Sequence, residues 1–122
     1  MGLKHIVEFL RSAKSTHHPA RGVRLWRVTE DPTLGIYWGE ISSGCQIGPE
    51  HHPDNQEIIL VTSGQVEMVC DGAKCQVICG HTVKIEPEVF HSPSNLGYNP
   101  FQFIVIATPD FVWEEAHPTP RT

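Results

Sequence analysis

The chain reads as an all-β domain, a sandwich or barrel of seven or so short strands, and three observations lead there. Ten glycines and ten prolines punctuate 122 residues, a density that favours frequent turns over a helical bundle. Between those breaks lie short runs rich in Val, Ile, Trp and Phe, the residue types that fit a pleated, half-buried surface. Little of the sequence offers helix to cover a sheet, so closing the sheet on itself is the way to bury its faces.

The elements follow in order. Residues 1–22 form an N-terminal arm, in which Leu3, Ile6, Val7 and Leu10 recur at helical spacing and predict a short amphipathic helix over 3–12. The loop STHHPARG comes next. The barrel is expected over 23–108, beginning with the strands VRLWRVTE and GIYWGEIS around the turn DPTLG. EIILVTSG follows, then QVEMVC, the turn DGAK, CQVI, the turn CGH and TVKIE. FQFIVIATP is the last strong strand before a tail, 109–122, that ends in HPTPRT. No repeat or linker divides the chain, and its length suits one domain with a single core.

Composition narrows the function classes. The formal charge is −5, with 14 acids against 9 bases, and a chain without a basic stripe has nothing to neutralise phosphates, which argues against nucleic acid as a partner. No apolar run approaches ~18 residues, so neither a transmembrane helix nor a membrane partner is expected. The opening MGLKHIVEFLRSAKST is broken by Glu8 and Arg11 and lacks a small-residue cleavage site. A cytoplasmic location is therefore expected, with the four cysteines as thiols. Cys70, Cys75 and Cys79 have spacings that match no common zinc knuckle and are expected to be buried or turn-lining. His17, His18 and His117 fall in presumed loops or tails and are expected to face solvent.

Eight histidines is a high count for this length, and two of them stand in GCQIGPEHHPDNQEIILVTSG, residues 44–64. Successive residues of a strand point to opposite faces, so Glu50 and His52 share a side and His51 takes the other. Glu57 opens the next strand and can return to the first side across the turn PDNQ. His91 closes the β unit GHTVKIEPEVF and is followed by a Pro-Ser-Asn turn. Two separated β segments, each delivering polar side chains into a barrel, assemble a small mononuclear metal site.

On these residues the chain resembles the cupins. Gly44, five residues, Glu50, His51, His52, four residues, Glu57, six residues and Gly64 reproduce the spacing of their first motif. Gly80, Glu86, Glu88, His91 and Asn95 fall at the positions of the second, after an interval of 15 residues. Two departures stand out: Glu50 replaces the first histidine of the family's pair, and Glu86 and Glu88 replace its proline and glycine.

The resemblance covers roughly residues 24–107 and implies a single-domain double-stranded β-helix, a jelly-roll barrel. It implies one divalent transition metal (iron, manganese, nickel or zinc) held by His52, Glu57 and His91. For the fourth position, Glu50 in register gives two histidines and two carboxylates, while a one-residue bulge would bring His51 inward and give three histidines. Family parity turns Gln46, Ile59, Val61, Val66 and Met68 inward, and Phe103 joins them as a pocket candidate, making a mainly apolar pocket suited to a small organic molecule. A dioxygenase, isomerase, lyase or cyclase activity is expected, with Glu50 as a general base when it is off the metal. The alternative is a non-catalytic small-molecule-binding or sensing barrel. A homodimer is expected, with the N-terminal helix and the aromatic-rich strands as its contacts.

Overall fold

The computed structural model describes residues 17–28, 33–50, 52 and 54–110. The helix expected over 3–12, His51, and the tail beyond Asp110 lie outside the described residues. Among the described residues eight strands are present: β1 (Val23–Arg27), β2 (Gly35–Ile41), β3 (Gln56–Ser63), β4 (Gln65–Cys70), β5 (Ala73–Ile78), β6 (Thr82–Ile85), β7 (His91–Ser94) and β8 (Phe101–Thr108). They form two antiparallel sheets, β1-β2-β8-β3-β6 and β5-β4-β7, which is the jelly-roll arrangement. Among the described residues no helix is long and apolar enough to cross a membrane.

Strict alternation builds the core. In β8 the inward residues Phe101, Phe103, Val105 and Ala107 are all buried while their neighbours are not. Phe101 and Phe103 stack with ring centroids 5.3 Å apart. Gly39 lies opposite Phe103 in the β2–β8 register, and a Cβ there would run into the Phe103 ring and Leu25. Glycine is what lets that ring lie flat on the neighbouring strand. The turn expected as DGAK tightens to two residues: Cys70 pairs with Ala73, and Asp71 and Gly72 both have positive φ (47° and 84°). This is the Asp-Gly signature of a type I′ hairpin, whose twist matches that of the flanking strands.

One element differs from expectation. Instead of a Pro-Ser-Asn turn after His91, residues His91–Ser94 form β7 and pair with β4, Pro93 standing opposite Met68. Proline is tolerated because β7 has regular pairing on one side only and meets the chain on its other side through isolated bridges. His17 also departs from the reading as a solvent-facing loop residue. It is half-buried, bridges Leu25 at the edge of β1, and sets its ring 5.8 Å from that of Tyr37.

The end of β8 is fastened by a buried polar cluster. Tyr37, fully buried, donates from its hydroxyl to Asp110 Oδ1 (2.8 Å) and accepts from Arg27 Nη1 (2.8 Å). Arg27 also pairs with Asp110 Oδ2 at 2.5 Å, and Asn55 Nδ2 donates to the carbonyls of Pro109 and Asp110. Asn55 precedes β3, so this cluster ties the chain beyond β8 to the loop that carries the histidines. Tyr37→Phe removes the shared hydroxyl and leaves a partly buried ion pair short of a partner. It should lower unfolding stability by about 1–3 kcal/mol in urea titrations, with the fold unchanged by circular dichroism.

Candidate metal centre

Three segments converge on one point. The first is the chain before β3. Two isolated bridges pair it with β7, Gln46 with Ser94 and Glu50 with His91. Four steps on one side thus match three on the other, an extra residue that amounts to a β-bulge. Gly48, with φ of 79°, lies within that interval and supplies a backbone conformation other residues resist. Beyond the bulge, Glu50 and His91 exchange backbone hydrogen bonds (Glu50 N to His91 O, 3.1 Å; His91 N to Glu50 O, 2.9 Å). Directly opposed residues of an antiparallel pair put their side chains on one face.

His52 is held through its carbonyl, which accepts from the backbone N–H groups of Asn55 (3.3 Å) and Glu88 (3.4 Å). Glu57 enters from the start of β3, opposite Ala107 of β8 and Ile85 of β6. The ligand atoms of Glu50, His52 and His91 all lie within 4.8 Å of one another. His52 Nε2 is 2.8 Å from Glu50 Oε1. Glu57 Oε2 sits 3.3 Å from His91 Nε2 and 3.6 Å from His52 Nε2. The Nδ1–H of His91 donates to the Val89 carbonyl (3.1 Å), which leaves the Nε2 lone pair facing the centre, the usual support of a metal-bound imidazole.

The spacings among Glu50, His52 and His91 fit a single ion, and Glu57 stands beside both imidazoles. With metal–ligand bonds of about 2.0–2.2 Å, adjacent donors of one shell sit roughly 3 Å apart and opposite ones roughly 4 Å. A set of two imidazole nitrogens and two carboxylates suits a divalent transition metal. Burial adds weight: His52, Glu57 and His91 are 8%, 5% and 5% exposed, and buried ionisable groups of this kind are paired or coordinate metals. Burial pushes the Glu57 carboxyl above its usual range, against the opposing pull of the two imidazoles. At His52 burial acts downward, but the hydrogen bond to Glu50 and the charges of Glu57 and Glu50 outweigh it, and the imidazole is pushed up.

Around the four side chains lies a cavity of about 50 Å³ whose remaining lining is apolar, with Ile59, Met68 and Phe103 among it. Val61 and Val66 are buried in the core without lining the cavity. Gln46 is a correction: it is exposed, its side chain hydrogen-bonded to the Gly48 carbonyl and to Ser94. The bulge is the reason, since one extra residue between Gln46 and Glu50 reverses parity, and Ile47 lines the cavity instead. The sequence reading also missed Phe101 and Val105, which i±2 counting from Phe103 would have found, and Leu25 and Pro93, for which no local signal exists. The four cysteines are free thiols. Cys45 and Cys70 are half-buried and Cys79 is exposed in the turn between β5 and β6, whereas Cys75 is exposed on β5. None belongs to the metal-ligand group among the described residues.

Solved structures with the same architecture include KdgF from Halomonas sp., 18% identical, with 83% of this chain and 90% of that one covered and a TM-score of 0.75. A cupin-superfamily sugar phosphate isomerase from Silicibacter pomeroyi is 19% identical, with coverage of 83% and 74% and a TM-score of 0.70. A Cupin 2 conserved barrel domain protein from Salinispora arenicola is 24% identical, with coverage of 76% and 81% and a TM-score of 0.67. At these identities the likeness establishes the fold alone. No curated protein matches the chain. The Cupin domain family model matches residues 37–107, and with its two-sheet barrel and its histidine–carboxylate cluster the chain belongs to the cupin family.

Proposed function

We propose that the protein is a metal-dependent enzyme acting on a small, largely apolar organic molecule that it holds through an oxygen. The observation that carries this reading is the composition of the cavity. Among the described residues, every polar side chain in its lining belongs to the Glu50, His52, Glu57 and His91 set, and all other lining residues are apolar. A sugar or a sugar phosphate needs donors and cations to replace its hydration, and this cavity supplies neither. At roughly 10–15 Å³ for each water-sized site, its volume admits only a few non-hydrogen atoms.

A bound divalent metal would supply Lewis-acid polarisation of a carbonyl, enolate or carboxylate oxygen. His52, His91 and Glu57 are the proposed holding set. Glu50 has the most exposed side chain of the four, 14% against 8% for His52, 7% for Glu57 and 6% for His91. It is therefore proposed to take a proton from the bound molecule at a carboxylate oxygen; its contact with His52 Nε2 belongs to the metal-free site, because a metal-bound Nε2 has no proton to share. Met68, Phe103 and Ile59 exclude water from that exchange, which strengthens every charge interaction within.

The first test is metal content by mass spectrometry of the native protein beside His91→Ala and His52→Ala. Near-stoichiometric metal in the native protein, lost in both variants while the circular dichroism spectrum is kept, is the expected result; a native protein that takes up no metal on reconstitution would sink the reading. Glu50→Gln should retain metal and, once a substrate is identified, lose about 10²–10⁴ in kcat. Ligand affinity that survives removal of the metal would mark a binding barrel instead.

The pH dependence has a definite sign. Because the His52 and Glu57 pKa values are both raised by folding, the metal-free fold draws stability from their protonated forms below the ordinary values and loses it as pH rises through the raised ones. Metal must displace those protons, so affinity weakens as pH falls through the same window. The gain in melting temperature on adding Mn²⁺ or Zn²⁺ should be larger at about pH 8 than at about pH 6; an equal gain at both would mean that these groups do not bind the ion.

A further inference from the structure

We propose that a cleft at the end of the barrel remote from the metal centre binds a neutral saccharide. β3 runs from Glu57 at that centre to Ser63, and six steps of about 3.3 Å put its two ends roughly 20 Å apart. At the far end a cleft of about 350 Å³ opens, a volume within the usual range of small-molecule sites. Gln65 and Ile78, opposed at the start of β4 and the end of β5, line it together with Asn95, Gly97, Tyr98 and Asn99 of the loop between β7 and β8. Among the described residues no charged side chain lines it.

The loop is held in shape from beneath. Asn95 is 1% exposed; its Nδ2 donates to the carbonyls of Ile41 and Asn99 (2.9 Å each), and its Oδ1 accepts from the Gly97 N–H (3.0 Å). Ser43 Oγ donates to the Gly97 carbonyl (2.5 Å). Gly64, with φ of 82°, brings the turn after β3 so close that a Cβ there would strike the Pro100 carbonyl. This frame leaves Tyr98 98% exposed. The side chains of Gln65 and Asn99 are exposed too, and neither makes a hydrogen bond among the described residues. An aromatic ring standing in water on a braced loop is ordered before a ligand arrives, which spares the cost of ordering it on binding. Each amide sets a donor beside an acceptor, the pattern that neighbouring hydroxyls of a sugar answer. The electron-rich face of the Tyr98 ring suits the C–H face of a pyranose. With no charge in the lining, an ionic ligand would lose its hydration without a partner. A flipped-out nucleobase is held in a closed slot between two stacking surfaces, whereas a single ring in an open cleft lets a sugar keep its other face wet.

Titration of the isotopically labelled full chain, followed by amide NMR, tests this. The probes are the methyl glycosides of glucose, galactose, mannose, xylose and N-acetylglucosamine, with maltose and cellobiose. At least one should move the side-chain amide signals of Gln65 and Asn99 and the backbone amide of Gly97, saturating with a Kd of about 1 mM. Tyr98→Ala, which removes a side chain that packs on nothing in the fold, should weaken that binding at least tenfold. Tyr98→Phe should keep most of it, because the ring rather than the hydroxyl is the anchor. Gln65→Ala should weaken it several-fold. His91→Ala should bind the sugar as the native chain does, so this site and the metal reading stand or fall separately. The proposal is overturned if no probe moves these signals at about 50 mM, or if Tyr98→Ala binds as the native chain does. Adenosine binding at these residues more tightly than any sugar would also overturn it, by making the cleft a nucleobase site.

Discussion

The paired backbone hydrogen bonds between Glu50 and His91 are the contact on which the site depends. They join a segment that precedes β3 to a strand that follows β6, and they do so immediately after a bulge that adds one residue to one side only. Without that extra residue Glu50 would face away from His91, and the cluster would lose the side chain that hydrogen-bonds His52. The same pairing holds β7 against β4 from its far side, which closes the barrel around the cavity. A local backbone irregularity thus sets both the shape of the cavity and the identity of its polar groups.

Placing two carboxylates and two imidazoles in an apolar cavity creates an electrostatic conflict that the protein groups alone resolve only by holding protons. The raised values at His52 and Glu57 are the sign of it. A divalent cation bound there would remove the conflict by replacing those protons with a single compact charge. Among the described residues the rest of the lining is apolar and contributes no further donor or cation. The apolar walls therefore do two things at once, raising the demand for a metal and restricting what can sit beside it. The Tyr37–Arg27–Asp110 cluster and Asn55 serve the same end from outside the cavity, pinning the loop of His52 to the end of β8.

The outer face of the large sheet follows a different logic. Its side chains have no part in the metal site, yet β2, β3 and β8 carry them at every second position as faithfully as they carry the core. Alternating burial accounts for the inner row, while Trp38, Ile104 and Leu60 of the outer row are not buried.

The sequence by itself determined the strand-rich class, most strand positions, a turn at DGAK, and the spacing that marks His52, Glu57 and His91. These are local properties: turn chemistry, side-chain type and a period of two act within a few residues and need no knowledge of partners. Only the tertiary structure decided how strands separated by forty or more residues were paired, as Glu50 is with His91. It showed that Pro93 belongs to a strand, because edge position is a property of the sheet. It moved Gln46 out of the pocket and Ile47 in, because a bulge is visible only against the partner strand. Parity counting is reliable along an uninterrupted strand and fails at the first inserted residue, and the residues that build this site lie just beyond one.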